Sequence, residues 1–326
     1  MIDCKIETDG LGLFGSGLSR PECVLCLESG NIFVSNWDGG VTRIAPDGTP
    51  QHILSLPGST PHPIGVNGFA ITPEGDFLLA DLNPKGGGVW RLQPDGAAEP
   101  FLLEIEGERI PPTNFVGVDR AGRVWISVST RQEPRDRAYR RDVADGFIIM
   151  VDRGTARVVA DGIGYTNEAI VDPSGEWLAV NETFGRRTNR YRIRADGSLG
   201  PRETVTEYGA GVYPDGLAYD EEGGIWMTSV VSNRLIHVAP DGEQTVVYED
   251  CDQGALDRVE VAFLAGDLGR SHLDSVVSQF ARSISSIAFG GPDRKTVYLG
   301  NLLDDRVYSF RSPIAGAMPS HWRIRL

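Results

Sequence analysis

Six times along this chain of 326 residues a polar side chain stands eight positions ahead of a tight turn that launches an apolar strand. Glu22, Asn67, Asn114, Asn167 and Asp215 precede Gly30, Gly75, Gly122, Gly175 and Gly223, and Ser286 precedes Arg294 in Pro292-Asp293-Arg294-Lys295. Beyond the turns run Ile32-Phe33-Val34, Phe77-Leu78-Leu79, Val124-Trp125-Ile126, Trp177-Leu178-Ala179-Val180, Ile225-Trp226-Met227 and Val297-Tyr298-Leu299. The turn residues lie 45, 47, 53, 48 and 71 positions apart. Short strands repeating at such a period mark the blades of a propeller, because one blade cannot bury both of its faces alone.

A second repeat fixes the register. Val41-Thr42-Arg43-Ile44 closes on Pro46-Asp47-Gly48, Val89-Trp90-Arg91-Leu92 on Pro94-Asp95-Gly96, and Ile148-Ile149-Met150-Val151 on Asp152-Arg153-Gly154. Tyr191-Arg192-Ile193, Ile236-His237-Val238 and Val307-Tyr308-Ser309-Phe310 end in the same manner. Pro presets φ, Asp bonds its own turn and Gly supplies positive φ. The expectation is an all-β, six-bladed β-propeller of about four strands per blade, with residues near Lys5 to Thr8 adding an outer strand where the two ends close one blade.

The repeat spans the sequence, so residues 1–326 read as one domain rather than the two that length alone suggests. The interval Glu249 to Arg282 is an insertion in which Leu256, Val259, Glu260 and Phe263 approximate helical spacing, with Gly266 as a stop. It joins two blades and is expected to cover one face as a lid, cap or dimer contact; the oligomeric state is left open. No apolar run is long enough for a membrane helix and the first residues lack a secretion signal, so the sequence reads as cytoplasmic, without a membrane partner. A net charge of −14 argues against a nucleic-acid partner. Of Cys4, Cys23, Cys26 and Cys251, the Cys23/Cys26 pair has no second pair to complete a tetrahedral metal site, and buried free thiols are expected.

Propeller geometry turns the six residues into a ring. If each begins the innermost strand of its blade, all six converge at one end of the central channel. Glu22, Asn114, Asn167 and Asp215 then offer two carboxylates and two amide oxygens, a hard donor set suited to one divalent cation. Any single copy is explained as readily by turn capping; five copies in one register favour a central metal site. Asn67 and Ser286 read as hydrogen-bonding or substrate-facing members.

Arg20-Pro21-Glu22, Thr166-Asn167-Glu168, Asn181-Glu182-Thr183-Phe184-Gly185-Arg186-Arg187 and Pro214-Asp215-Gly216-Leu217-Ala218 resemble the senescence marker protein, gluconolactonase and luciferin-regenerating enzyme family over roughly Ser19 to Arg311. The resemblance implies a six-bladed propeller with one catalytic divalent cation, Ca2+ foremost with Zn2+, Mn2+ or Mg2+ as alternatives, and hydrolysis of a small-molecule lactone. It implies Glu22, Asn167 and Asp215 as metal ligands, Asn114 at the metal or substrate, and Asp215 as general base. In sugar-lactonase members an arginine that helps hold the sugar stands two residues before the asparagine matching Asn114. Here that place is Pro112, which sets this chain apart in how it would hold a substrate.

The chemistry that fits is opening of a lactone, a sugar lactone or related cyclic ester, with a metal-polarised carbonyl and activated water. The alternatives are a phosphotriesterase-type hydrolase and a calcium-binding propeller without catalysis. No Gly-x-Ser-x-Gly elbow, phosphate-binding Gly-Lys-Ser/Thr loop or His-Glu-x-x-His helix occurs. His62 reads as a surface histidine or a proton shuttle over the site, and His237 as structural. The stretch Thr130 to Arg141 carries five arginines, either paired with local acids or forming a positive rim, and Arg131 and Gln132 are its candidates for substrate contact. Trp37, Tyr165, Phe184 and Tyr213 read as pocket-lining or packing residues.

Overall fold

The computed structural model describes residues 5–275 and 278–326. Six four-stranded antiparallel sheets form in chain order, and a small hairpin, Glu104–Ile105 with Glu108–Arg109, stands outside them. The innermost strands of blades 1 to 6 are Val24–Cys26, Val66–Ile71, Phe115–Val118, Thr166–Val171, Tyr213–Tyr219 and Ile284–Gly290, and they pack around a common axis. Cys4 lies outside the described residues; Cys23 and Cys26 are free and buried, and Cys251 is free and half-buried.

The turns take the conformations their residues allow. Gly30, Gly75, Gly122, Gly175 and Gly223 all lie at φ between 78° and 92°, where a side chain is costly. Arg294 holds the sixth position at φ 53°, its N–H donating to Gly291 O at 3.0 Å.

The ring closes on an N-terminal strand, but not at the expected residues. Gly12–Phe14 pairs with Val307–Arg311 as the outermost strand of blade 6, with Leu13 opposite Tyr308. Lys5 to Thr8 forms no strand: Ile6 N–H donates to Val247 O of blade 5, and a 3-10 turn begins at Thr8. Nothing periodic in that segment could have distinguished the two sites.

Aromatic side chains fill the spaces between blades. Phe33, Phe69, Phe77, Trp90 and Phe115 pack in one cluster near blades 1 to 3, and Trp226, Phe289 and Phe310 in another between blades 5 and 6. Each such burial stabilises by roughly 1.5–3 kcal/mol. Trp125 and Trp226 donate their indole N–H groups to Asp119 and Asp220, both at 2.9 Å, so their polar ends are satisfied. His237 lies 3.0 Å from the same Asp220 carboxylate and is part of this packing, as its outer-strand position suggests.

The insertion after blade 5 carries helix α1, Gln253–Ala265, and a short helix α2, Arg270–Asp274. Asp252 caps α1 by accepting from Ala255 N–H at 2.6 Å, and Gly266 at φ 77° stops it. Leu256, Val259 and Phe263 are buried against Tyr139, Tyr165, Phe184 and Tyr213. Because Tyr165 and Tyr213 stand at the starts of blades 4 and 5, close in sequence to Asn167 and Asp215, α1 lies over the face on which the ring residues emerge. Asp250 secures the return by accepting from the N–H groups of Gln279, Phe280 and Ala281 at 2.8, 2.7 and 2.7 Å. Among the described residues no helix is long and apolar enough to cross a membrane.

Candidate active site

The register of the innermost strands slips where the ring residues stand: between Val66 and Phe69, Thr166 and Ala169, Pro214 and Leu217, and Ile284 and Ser286. An extra residue in a strand re-aims its side chain, and Asn67, Asn167 and Asp215 are each among those inserted. Glu22 and Asn114 lie just before their strands. Crowding at the axis is severe. A Cβ on Gly68 would meet Phe115 at 2.6 Å, and one on Gly216 would meet Ser285 O at 2.5 Å, so the residues after Asn67 and Asp215 must be glycine for neighbouring blades to approach.

Hydrogen bonds then fix each donor. Asn67 Nδ2 donates to Glu22 Oε1 at 2.9 Å and to Asn114 O at 3.1 Å, tying blades 1, 2 and 3 together. Asn167 Nδ2 donates to Thr183 Oγ1 at 3.0 Å, and that hydroxyl donates to Pro214 O at 2.8 Å. Asn181 Nδ2 donates to Asp215 O at 3.0 Å. The second strand of blade 4 therefore orients Asn167 and holds the backbone of Asp215.

What remains is a set of oxygens without partners. Glu22 Oε2, Asn114 Oδ1 and Asn167 Oδ1 are fully buried and accept no hydrogen bond. Glu22 is 3% exposed, Asn114 4%, Asn167 5% and Asp215 5%. Unsatisfied buried acceptors each cost on the order of 1–3 kcal/mol, and oxygens left bare on three residues of one ring fit a bound cation. Among the described residues no group of three or more His, Cys, Asp or Glu side chains is placed to hold a metal. A site built on Glu22, Asn114, Asn167 and Asp215 would instead offer two carboxylates with two carboxamides, a hard-oxygen set that suits Ca2+ and related ions.

Electrostatics point the same way. Burial pushes Glu22 up to about 7 against the pull of Arg20 and the Asn67 hydrogen bond. Asp215 is held well above the usual carboxylate range by burial and then by the charge of Glu22. Glu168, the next residue along from Asn167, is raised by burial and by both acids, although its Oε2 accepts from Leu217 N–H at 2.9 Å. Buried carboxylates without ion-pair partners are unstable as a group. A divalent cation between Glu22 and Asp215 would relieve them.

Other expected residues lie elsewhere or are already engaged. Asn67, expected to face substrate, uses its amide on Glu22 and Asn114 and its Oδ1 on Arg20 Nη1 at 2.9 Å. Ser286 Oγ accepts from Val24 N–H at 3.1 Å. Arg131 forms a bidentate pair with Asp161 at 2.9 and 2.8 Å and lies over Phe147, while Gln132 donates to Asp145 at 3.0 Å, so this part of the loop pairs with local acids. His62 lies 2.7 Å from the buried Asp81 carboxylate and is held by blade 2. Tyr165, Phe184 and Tyr213 pack beneath α1, and Trp37 lies under the Arg20 guanidinium at 4.5 Å.

Arg135 was read only as one of the five arginines of the Thr130 to Arg141 loop, and three further residues near the site were given no role by sequence reasoning: Arg20, Asn181 and Thr183. The family-like segment Asn181-Glu182-Thr183 was the available signal for the last two. Burial lowers Arg20 to about 10 in spite of Glu22 beside it. Arg135 stands 5.4 Å over Tyr165, and its charge reaches both Glu22 and Asp215. A cavity of about 490 Å³ lies at the other end of the channel, among apolar residues such as Phe69, Phe115, Leu217 and Phe289 and under the C-terminal stretch from Ala317 to His321. It lacks the oxygen donors and belongs to a different face.

Comparison with known proteins agrees with the architecture. Residues 60–250 match the profile described as the SMP-30/Gluconolactonase/LRE-like region. A 6-deoxy-6-sulfogluconolactonase of Pseudomonas putida is 26% identical over 242 residues, covering 73% of this chain and 69% of that protein. The pentonolactonase XacC of Haloferax volcanii is 26% identical over 192 residues, which is 58% of this chain and 53% of that one. Among solved structures, a gluconolactonase of Xanthomonas campestris aligns with a TM-score of 0.68 at 16% identity, covering 93% of this chain and 89% of its own. Regucalcin of Agrobacterium tumefaciens, a calcium-binding protein, aligns at 0.67 and 17% identity, covering 95% of each chain. At such identities the structural likeness speaks for the six-bladed fold.

Proposed function

This chain belongs to the SMP-30/gluconolactonase/LRE-like family, and from that premise we propose that it hydrolyses a small-molecule lactone at the Glu22, Asn114, Asn167 and Asp215 ring, with one divalent cation held there. The observation that carries the reading is that three residues of the ring each keep a buried oxygen without a partner, while Asp215 of the same ring is buried as well. Relatives named as lactonases for two different sugar lactones support the reaction class.

Glu22 and Asp215 supply the charge to hold the cation, and the two carboxamides supply neutral oxygens. When bound, such an ion polarises a carbonyl and stabilises negative charge on its oxygen. Asn67 keeps Glu22 turned inward, and Thr183 keeps the Asn167 amide nitrogen turned away, so that Oδ1 faces the centre. Asp215 serves as general base: its carboxylate removes a proton from water as the water oxygen bonds to the lactone carbonyl carbon. The bond from that carbon to the ring oxygen breaks, and the departing alkoxide takes up the proton, leaving an open-chain hydroxy acid. Asn181, bonded to the Asp215 carbonyl oxygen, fixes where that carboxylate stands. Helix α1, tied to blade 4 through Glu260 and Arg186 at 2.6 and 2.9 Å, acts as a cap over this face.

The test is elemental analysis of the purified protein followed by a panel of sugar and aliphatic lactones, with and without chelator. One equivalent of a divalent metal and chelator-sensitive ring opening are expected. Ring opening unaffected by chelator would remove the cation from the reaction, and no turnover of any lactone would remove the reaction class.

A further inference from the structure

Two arginines near Glu22 and Asp215 have most of their hydrogen-bonding capacity unused. A guanidinium carries five N–H donors. Arg20 uses one on Asn67 Oδ1 and Arg135 one on Ser129 Oγ, at 2.9 and 3.3 Å, and the buried Arg135 Nε has no partner. Neither has an ion-pair partner among the described residues, although the chain is strongly acidic. Most other arginines here are paired, Arg131 with Asp161, Arg186 with Glu260 and Arg187 with Glu182 among them.

Both guanidinium planes are held in place by aromatic rings, Arg20 by Trp37 at 4.5 Å and Arg135 by Tyr165 at 5.4 Å. They approach from different connections: Arg20 from the segment entering blade 1, Arg135 from the long loop of blade 3. Arg20 is joined to Glu22 through Asn67, so it lies two hydrogen bonds from that carboxylate. Once Glu22 and Asp215 are engaged with a cation, the positive charge of the two arginines is left without a counter-charge. Fixed, part-buried and forked donors of this kind recognise oxyanions.

We propose that the substrate carries an anionic group, a carboxylate, sulfonate or phosphate, at a distance from its lactone carbonyl, and that Arg20 and Arg135 bind it. This rests on the lactone-hydrolase reading above.

The test compares aldonolactones of one ring structure bearing at C6 a hydroxyl, a carboxylate, a sulfonate or a phosphate. The expected result is a kcat/KM for at least one charged lactone about tenfold or more above the neutral one, consistent with hydrogen bonds to a charged group. In Arg135→Gln and Arg20→Gln the charged-to-neutral ratio should fall toward one, Arg135→Lys should retain part of it, and Arg131→Gln should keep the wild-type value. Which charged lactone leads identifies the oxyanion. Independently of turnover, calorimetric binding of inorganic sulfate should weaken about tenfold or more in Arg135→Gln. Sulfate binding lost in that variant without turnover of any lactone would keep the anion site and remove the hydrolase reading. A neutral lactone preferred by the wild type, with ratio and sulfate affinity unchanged in both arginine variants, would overturn the anion site and leave the hydrolase reading standing.

Discussion

At the scale of the residue, the proposed function rests on side chains whose hydrogen bonds are incomplete. Thr183 occupies the Asn167 nitrogen and leaves its oxygen bare; Asn67 occupies one oxygen of Glu22 and leaves the other bare. Replacing Asp215 with Asn keeps the shape but removes the base, and kcat is expected to fall by about 10²–10⁴ with an unchanged circular dichroism spectrum; retained turnover would remove Asp215 from that role. Glu22→Gln deletes one of the two charges facing the cation and should weaken calorimetric metal affinity by about tenfold or more. The acids also make a pH prediction for chelator-treated protein. Glu22 is raised from 4.5 to about 7 in the fold, so its protonated form favours the folded state. That contribution is complete below about 4.5 and lost as pH rises through about 7. The melting temperature without metal should therefore fall between pH 5 and pH 8, and fall less after a divalent cation is added.

At the scale of the element, helix α1 is fastened by two kinds of contact. Phe263 stacks against Phe184 at 6.1 Å and meets Tyr213 edge-on at 5.7 Å, while Glu260 pairs with Arg186. Phe263→Ala should cost about 3–5 kcal/mol if the helix unfolds with the whole chain. If the helix opens by itself, hydrogen exchange will quicken across Gln253–Ala265 while the sheets stay protected. The helix was legible because Leu256, Val259 and Phe263 keep its period, and Asp252 and Gly266 bound it. The partner of Glu260 was not legible, since Arg186 lies 74 residues away and only the folded sheet brings them together. Arg131 and Arg135 share a loop, and composition alone could not tell that the first would meet Asp161 and the second Tyr165.

At the scale of the whole molecule, the six-fold repeat carried the architecture in its turns. The closure was not legible there, because Gly12–Phe14 is three residues of no distinctive pattern, chosen by the free edge of Val307–Arg311. Removing residues 1–16 should expose that edge and lower the melting temperature by several degrees, with blade 6 gaining hydrogen exchange before the others. Equal protection in all blades would show that the strand contributes little to closure.

The most direct test of the account is a titration of lactone opening against a divalent cation added back to chelator-treated protein, run beside Glu22→Gln. The account predicts that activity is lost on chelation, returns at one equivalent of cation in the wild type, and returns only at much higher concentration in the variant. Full activity in the metal-free protein, or identical titration curves for both, would contradict it.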